Sequence, residues 1–505
     1  MMKQKFALLL LFIGLFAFGQ VPTITKSEIF KDKKKNTNLS FVLENDDKSI
    51  VLIRSYYPTI GVNGGYYIQH FNENLELIFE VDYETKNKII YAYLENGNLN
   101  LIERKYNSKT KSLEINLASD ELNEMSFEYR NLVSIPNNIF ESEDTFLNWE
   151  NDKDTYGKFI ASNQGNYFAL SFDVKNNKRE THQIYVFDKK FNQLYEKKFE
   201  VDLKDKLFQL QDITIDDNDG TLYFLGKSFE NNARTDKKNK EINYHFEIQK
   251  ITKNSKQVLK FKKPDINIAY LSMSLYNGKL KCYGFYGKNK SYKYNGVYSS
   301  DIDIDSFKII KDFQNEFSDS FMTEKFGNNN TLKNQTKKRG IKNITFRQAF
   351  FLPDGSLIMN AEENYIQKFQ NGSQPILEDI ITIKVDGKGK LVWAKVINKV
   401  QSGIRNSSFT GIPIGDEFYF LINSSDKLRK EFSGTVRTTN PSEQMSNLYQ
   451  ISIDKETKFQ IKKLIDRKED KVFYRVDNGY IDLKNNAIFL IGRNGKKSQL
   501  IKIKY

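Results

Sequence analysis

Cysteine is almost missing from this chain of 505 residues: Cys282 stands alone. One thiol excludes an intrachain disulfide and any zinc site built on several cysteines. Proline and glycine are scarce, at 8 and 27, whereas aromatics reach 14%, with 39 Phe and 28 Tyr. That balance favours strands, where aromatic and β-branched side chains pack well on pleated faces. Histidine is limited to His70, His182 and His245, each expected on a third strand just before a turn. A lone His on a strand is usually structural, and no catalytic, cofactor or metal residue is assigned. No Gly-x-Ser-x-Gly and no intact sialidase-type Asp-box occurs. Asp216–Gly220, DDNDG, lacks the glycine and glutamate that an EF-hand loop needs further on, so it reads as a turn. Gly61–Tyr67, GVNGGYY, lacks the strand-to-helix context of a phosphate cradle.

What is present begins with a leader. Lys3 and Lys5 precede the apolar run Phe6–Phe18, and Ala17 and Gly19 fit a small-x-small cleavage rule. Thirteen apolar residues fall short of the about 20 that span a bilayer. Residues 1–19 therefore read as a signal peptide, with export to the periplasm or beyond and no transmembrane segment in the mature chain. The net charge is +13, or +11 without Lys3 and Lys5, and it follows a chain-wide abundance of lysine.

A repeat lies beneath the composition. Phe71-Asn72 is followed at eight residues by Phe79, Phe187-Asp188 by Tyr195, Ile251-Thr252 by Leu259 and Ile302-Asp303 by Ile310. Val385-Asp386 leads to Trp393, Ile453-Asp454 to Ile461 and, less clearly, Leu117-Ala118 to Met125. Alternating residues precede each polar turn and apolar residues follow it, which is a β-hairpin pattern. A second hairpin precedes each one, as in IIYAYLENGNLNLIE and SMSLYNGKLKCYGFYG. Each unit is thus four strands. Four-stranded units in a ring are the blades of a β-propeller, which removes exposed sheet edges. The last unit ends in its third strand, QLIKIKY, and the orphan segment Thr23–Phe30, TITKSEIF, is expected to complete it and latch the ring. The expected fold is all-β: a single propeller over residues 20–505 with about eight four-stranded blades, or seven.

Asp386–Lys395, DGKGKLVWAK, resembles the hairpin of the bacterial β-propeller repeat called SBBP and the tryptophan-docking repeats of quinoprotein propellers. The general style is similar to secreted propellers of Bacteroidetes. The resemblance implies a fold and a compartment rather than an activity. The acidic calcium ligands and Cys pair of a quinone-cofactor enzyme are missing, so no cofactor is expected. Trp393, like its counterparts, is expected to pack between blades.

In a blade, the turns inside both hairpins share one face and the remaining links share the other. The links are the long ones: 229–243, 287–296, 361–379 and 423–447 between hairpins, 126–157 and 321–345 between blades. Loops of this length are usually functional or disordered. Segment 321–345 carries net charge +5, 287–296 +3, 126–157 −5 and 361–379 −3. Lys288, Lys290, Lys293, Lys337, Lys338 and Arg339 are the candidate binding residues. The patchiness argues against nucleic acid, which favours a continuous basic track. The expectation is a monomeric, non-enzymatic binding propeller that meets a protein or an envelope polymer through the long-link face. One alternative is a carbohydrate-active enzyme with carboxylates in the central channel. The other is a structural component of the envelope.

Overall fold

The computed structural model describes residues 21–505 apart from 35–36, 58–63, 137–156, 175–178, 202, 239–240, 289–292, 327–339, 371, 403–407, 427, 431–435 and 438–445. The leader, Lys290, Lys337, Lys338 and Arg339 lie outside the described residues.

Eight antiparallel four-stranded sheets follow one another along the chain. Blade 1 is Thr37–Glu44, Ile50–Tyr56, Gly65–Phe71 and Leu77–Glu84, in that spatial order. Blades 2 to 7 occupy 88–136, 158–200, 208–261, 266–316, 344–397 and 410–465 with the same order. Blade 8 takes its first three strands from 473–504, and its outer strand is the N-terminal Thr23–Lys26. Thr23 pairs with Lys504 and Lys26 with Ile501, so the expected latch is present.

The ring is also visible in the core. Eight buried apolar clusters each join two consecutive blades, and the series closes. Phe71 and Leu75 of blade 1 meet Phe489 and Leu500 of blade 8, while Val51 and Ile68 on the other side meet Leu99 and Leu101 of blade 2. Strand alternation is the cause: each sheet presents one apolar face to each neighbour. Fully burying one such side chain contributes about 1.5–3 kcal/mol.

The repeated hairpin owes its shape to one carboxylate or amide. Asn72, Asp188, Asp386 and Asp454 each accept, through Oδ1, two backbone N–H groups two and four residues on. These are Asx turns. The residue three after the Asx is left-handed in each: Leu75, Phe191, Gly389 and Thr457. In blades 1, 3 and 6 the outer strand then bulges, leaving Ile78, Leu194 and Val392 exposed. Phe79 and Tyr195 pack against blade-to-blade clusters, whereas Trp393 is half-buried opposite Lys384. At the first-hairpin turns, Asn96-Gly97 and Asn277-Gly278 have positive φ at both residues, the primed geometry that matches strand twist.

The described parts of the long links carry regular structure. Segment 361–379 is no loop: Leu357–Phe369 and Gly372–Val385 stay paired out to Phe369 opposite Gly372, a hairpin that outgrows the blade. Segment 126–157 holds the outer strand of blade 2, Glu128–Pro136, so the blade-to-blade link is shorter. The Leu117–Met125 spacing misled because Leu117 sits mid-strand opposite Arg130, and Asp120 lengthens the turn by binding the N–H groups of Ser126 and Phe127. Segment 321–345 begins within the helix Asp319–Phe326, whose Phe321 and Met322 plug the cluster between blades 5 and 6. Short ladders also form within 229–243 and 423–447.

Candidate functional site

The inner strands line the central channel, and several carry a bulge where they crowd together. Ser40, Ile90, Gln211 and Arg347 are the residues skipped by the ladder. A bulge adds local twist and re-aims its neighbours. In blades 5 and 8 the inner strand is broken outright, into Ile266–Ile268 with Ser272–Tyr276 and Phe473–Tyr474 with Tyr480–Asp482.

A cavity of about 640 Å³ opens where the inner strands of blades 8, 1 and 2 reach their first-hairpin turns. Its walls include Phe41 and Glu44 from blade 1, Tyr91 and Tyr93 from blade 2, and Tyr480 and Asp482 from blade 8. Strand alternation puts Tyr91 and Tyr93 on one face, their rings stacked 6.0 Å apart, and Tyr91 stacks in turn on Phe159 of blade 3 at 4.8 Å. The aromatic wall is therefore held from behind. Tyr480 remains 38% exposed. Burial and nearby Glu95 push the Tyr93 hydroxyl up to about 12, so it stays a neutral donor.

The polar wall crosses the seam of the ring. Asn485 Nδ2 donates to Glu44 Oε2 and to Asp482 Oδ2, both at 2.9 Å. Burial raises the Glu44 carboxyl above its ordinary range, and a hydrogen bond with Asp482 raises it further. Burial opposes ionisation of Asp482 too, but hydrogen bonds from Asn485 and Glu44 hold it below its ordinary value. The Asn485 amide thus holds the two carboxyls side by side across the seam. Lys502 Nζ lies 3.8 Å from Glu44 Oε1, and Asn45, Asp46, Lys48 and Lys484 complete the rim.

The opposite face of the channel carries a buried ion cluster on blade 6. Lys325 of the helix lies 2.5 Å from both Glu363 and Asp379 at the base of the long hairpin. Lys399 meets Glu362 at 2.5 Å, and Arg347 grips the other Glu362 oxygen through Nη2 at 2.7 Å and Nε at 3.0 Å. Burial pushes the Lys399 amine below its ordinary value. The charges are matched to one another, and the cluster pins helix to hairpin.

Of the sequence-predicted binding residues within the described region, Lys288 is exposed and pairs with Glu316 at 2.8 Å. Lys293 is half-buried, its Cβ against Gly340. The structure brings neither into the cavity. All three histidines lie on third strands and have partners: Asn123 for His70, Glu180 for His182, Glu230 and Glu247 for His245. Asp216 caps its own turn through Asn218. Among the described residues no group of three or more His, Cys, Asp or Glu is placed to hold a metal, and no helix is long and apolar enough to cross a membrane.

No protein-family model matches the chain, and no curated protein matches it by sequence. Solved structures match it as a fold. The β-propeller domain of the Trilobed protease from Pyrococcus furiosus is 10% identical, covering 86% of this chain and 99% of that one, with a TM-score of 0.37. The WD40 domain of SCAP from fission yeast is 6% identical over 94% and 98%, with a TM-score of 0.39. Prolyl oligopeptidase B from Galerina marginata is 9% identical over 90% of this chain and 55% of that one, with a TM-score of 0.41.

Proposed function

We propose that this chain is an exported binding propeller whose ligand seats in the cavity at the mouth of the channel, on the face of the short first-hairpin turns. The observation that carries this reading is a cavity of about 640 Å³ lined both by stacked tyrosines and by a carboxyl–amide cluster that crosses the seam. Ligand cavities typically measure 300–1,000 Å³, with aromatic walls and a few convergent polar groups. Hydrolysis fits less well. Glycosidases hold their two carboxyls about 5–9.5 Å apart to admit a sugar and a water. The Asn485 amide holds Glu44 and Asp482 side by side, which suits recognition of hydroxyl groups more than attack on them.

Site-specific photo-crosslinking tests this. A benzophenone amino acid is placed at Tyr480 in the cavity or at Ile366 on the long hairpin, and the chain is irradiated in its native host. Adducts from position 480 that disappear with Tyr93→Ala support the cavity. Adducts from position 366 alone would return the function to the long-link face. N-terminal sequencing of the exported protein checks the compartment, with Gln20 as the expected first residue.

A further inference from the structure

We infer that the ligand is a neutral sugar, held by stacking on the tyrosine wall and by hydroxyl contacts to the Glu44–Asp482 pair. This rests on the cavity being the binding site and adds the chemistry of what fills it.

Three features converge on this class. The first is shape. Phe41, Tyr91, Tyr93 and Tyr480 all contribute to the cavity lining, and Tyr480 is 38% exposed. A pyranose ring has an apolar C–H face and a hydroxylated rim, and it matches a lining that mixes aromatic rings with carboxyl and amide groups.

The second is hydrogen bonding. Glu44, Asp482, Asn45 and Asn485 place carboxyl and amide groups within one lining. The carboxyl oxygens accept, and the amide nitrogens of Asn45 and Asn485 donate. Neighbouring hydroxyls on a sugar do the same, so each can satisfy the other without a change of charge.

The third is charge. The lining holds three acidic residues, Glu44, Asp46 and Asp482, and two basic ones, Lys48 and Lys484. Lys502, 3.8 Å from Glu44, adds a third positive charge, so three negative charges face three positive ones. A polyanion or a polycation gains no net attraction here. A ligand ammonium at Glu44 would also compete with Lys502, already 3.8 Å away.

The test uses the full chain with Tyr480→Trp as a fluorescent reporter, in a background that carries both Trp149→Phe and Trp393→Phe. Tyr480 is partly exposed, so this substitution leaves the fold in place, and circular dichroism checks that it has. The probes are cellohexaose, maltohexaose and mannohexaose as neutral chains, hexagalacturonate as the acidic one, and a chitosan hexamer as the cationic one. A saturable emission change with a neutral hexaose is expected, with affinity weakened about tenfold or more by Glu44→Gln or Tyr93→Ala. A response confined to hexagalacturonate or chitosan would overturn the sugar's neutrality and leave the binding site standing. A neutral sugar that binds equally well to Glu44→Gln and Tyr93→Ala protein would overturn the assignment to this cavity. Silence from every probe, with photo-adducts still forming at position 480, would overturn the sugar class alone; silence with no adducts would overturn both readings.

Discussion

Asp32→Asn should loosen the ring at its closure and nowhere else. Asp32 follows the latch strand and is 4% exposed at its side chain; its partner Arg54, on blade 1, is fully buried. The guanidinium holds the carboxylate with two bonds of 2.8 and 2.9 Å. Ser498 of blade 8 donates to the same carboxylate at 2.7 Å, and Arg54 also donates to Gln69 at 3.0 Å. One carboxylate thus ties the latch to both flanking blades. Removing one partner of a buried ion pair typically costs about 3–5 kcal/mol, because the other charge is left desolvated and unmatched. Unfolding entropy is about 2.1 cal/mol/K per residue, so a chain of this size gains roughly 1 kcal/mol/K at its midpoint. The melting temperature should therefore fall by about 3–5 °C, read by calorimetry at pH 7. Lys26→Ala provides the contrast. It removes an ion pair to Asp470 from the same segment, but Lys26 is 37% exposed, and pairs of that kind contribute about 1 kcal/mol or less. A drop for Asp32→Asn no larger than that for Lys26→Ala would refute the reasoning. So would a full-sized loss for Asp32→Asn in an Arg54→Met background, where the charge to be left unmatched is gone.

Other perturbations read other parts of the fold. Thr457 is β-branched at a φ of 64°, where its sibling in blade 6 is Gly389; Thr457→Gly should raise stability by about 1 kcal/mol, measured by chemical denaturation. Gly389→Thr should do the reverse and more, because its φ is 94° and a Cβ there would meet Phe313 at 2.6 Å. Despite burial, hydrogen bonds from His245 and Lys260 hold the Glu247 carboxyl down at about 2, against an ordinary 4.5. Its contribution is therefore present above pH 4.5 and lost as pH falls toward 2, and Glu247→Gln should flatten that acid limb in a series of melting curves. Lys227 is buried over the Tyr244 ring at 4.2 Å and donates to Asp236 and Ala269; Lys227→Met should keep the melting temperature within a few degrees yet speed tryptic cleavage between Arg234 and Lys238.

The architecture was legible because it is repetitive and local. Asn72, Asp188, Asp386 and Asp454 mark the turns through bonds to N–H groups a few residues away, so spacing alone exposes them. The latch followed from a count of strands in the last unit. Two features broke local rules. Leu75 and Phe191 sit at positive φ, where turn chemistry favours glycine or asparagine, because each is buried in a blade-to-blade cluster that outweighs the strain. The long hairpin of blade 6 looked like a loop because its charges, Glu362, Glu363, Glu378 and Asp379, interrupt the apolar alternation; within the fold they answer Lys325, Lys399 and Arg347. The cavity was not legible at all. Glu44 and Asp482 lie near opposite ends of the chain and meet only when the ring closes. A signal was nevertheless present: inner-strand segments IIYAYLE and YIDLKNN combine tyrosine with an acidic residue at the turn.

That dependence on closure has a physical consequence. Asn485, from blade 8, bonds Glu44 of blade 1, and Lys502 of blade 8 approaches the same carboxyl. The cavity's polar wall is therefore part of the same seam that Asp32 and Arg54 lock at the other end of the strands. A ring that opens locally at this seam loses the site before it loses the fold. Apparent affinity then falls by the fraction of molecules in the closed state, although no residue of the cavity has changed. Asp32→Asn should accordingly weaken binding of whatever ligand the cavity takes, whereas Thr457→Gly, on blade 7, should leave it unchanged. Ligand should in return protect the latch: at 100 times its Kd it adds about 2.7 kcal/mol to the closed form. Hydrogen exchange on Thr23–Lys26, compared with and without ligand, reads that protection directly. Equal exchange in the two conditions, at a concentration that saturates the site, would show that seam and site are energetically separate.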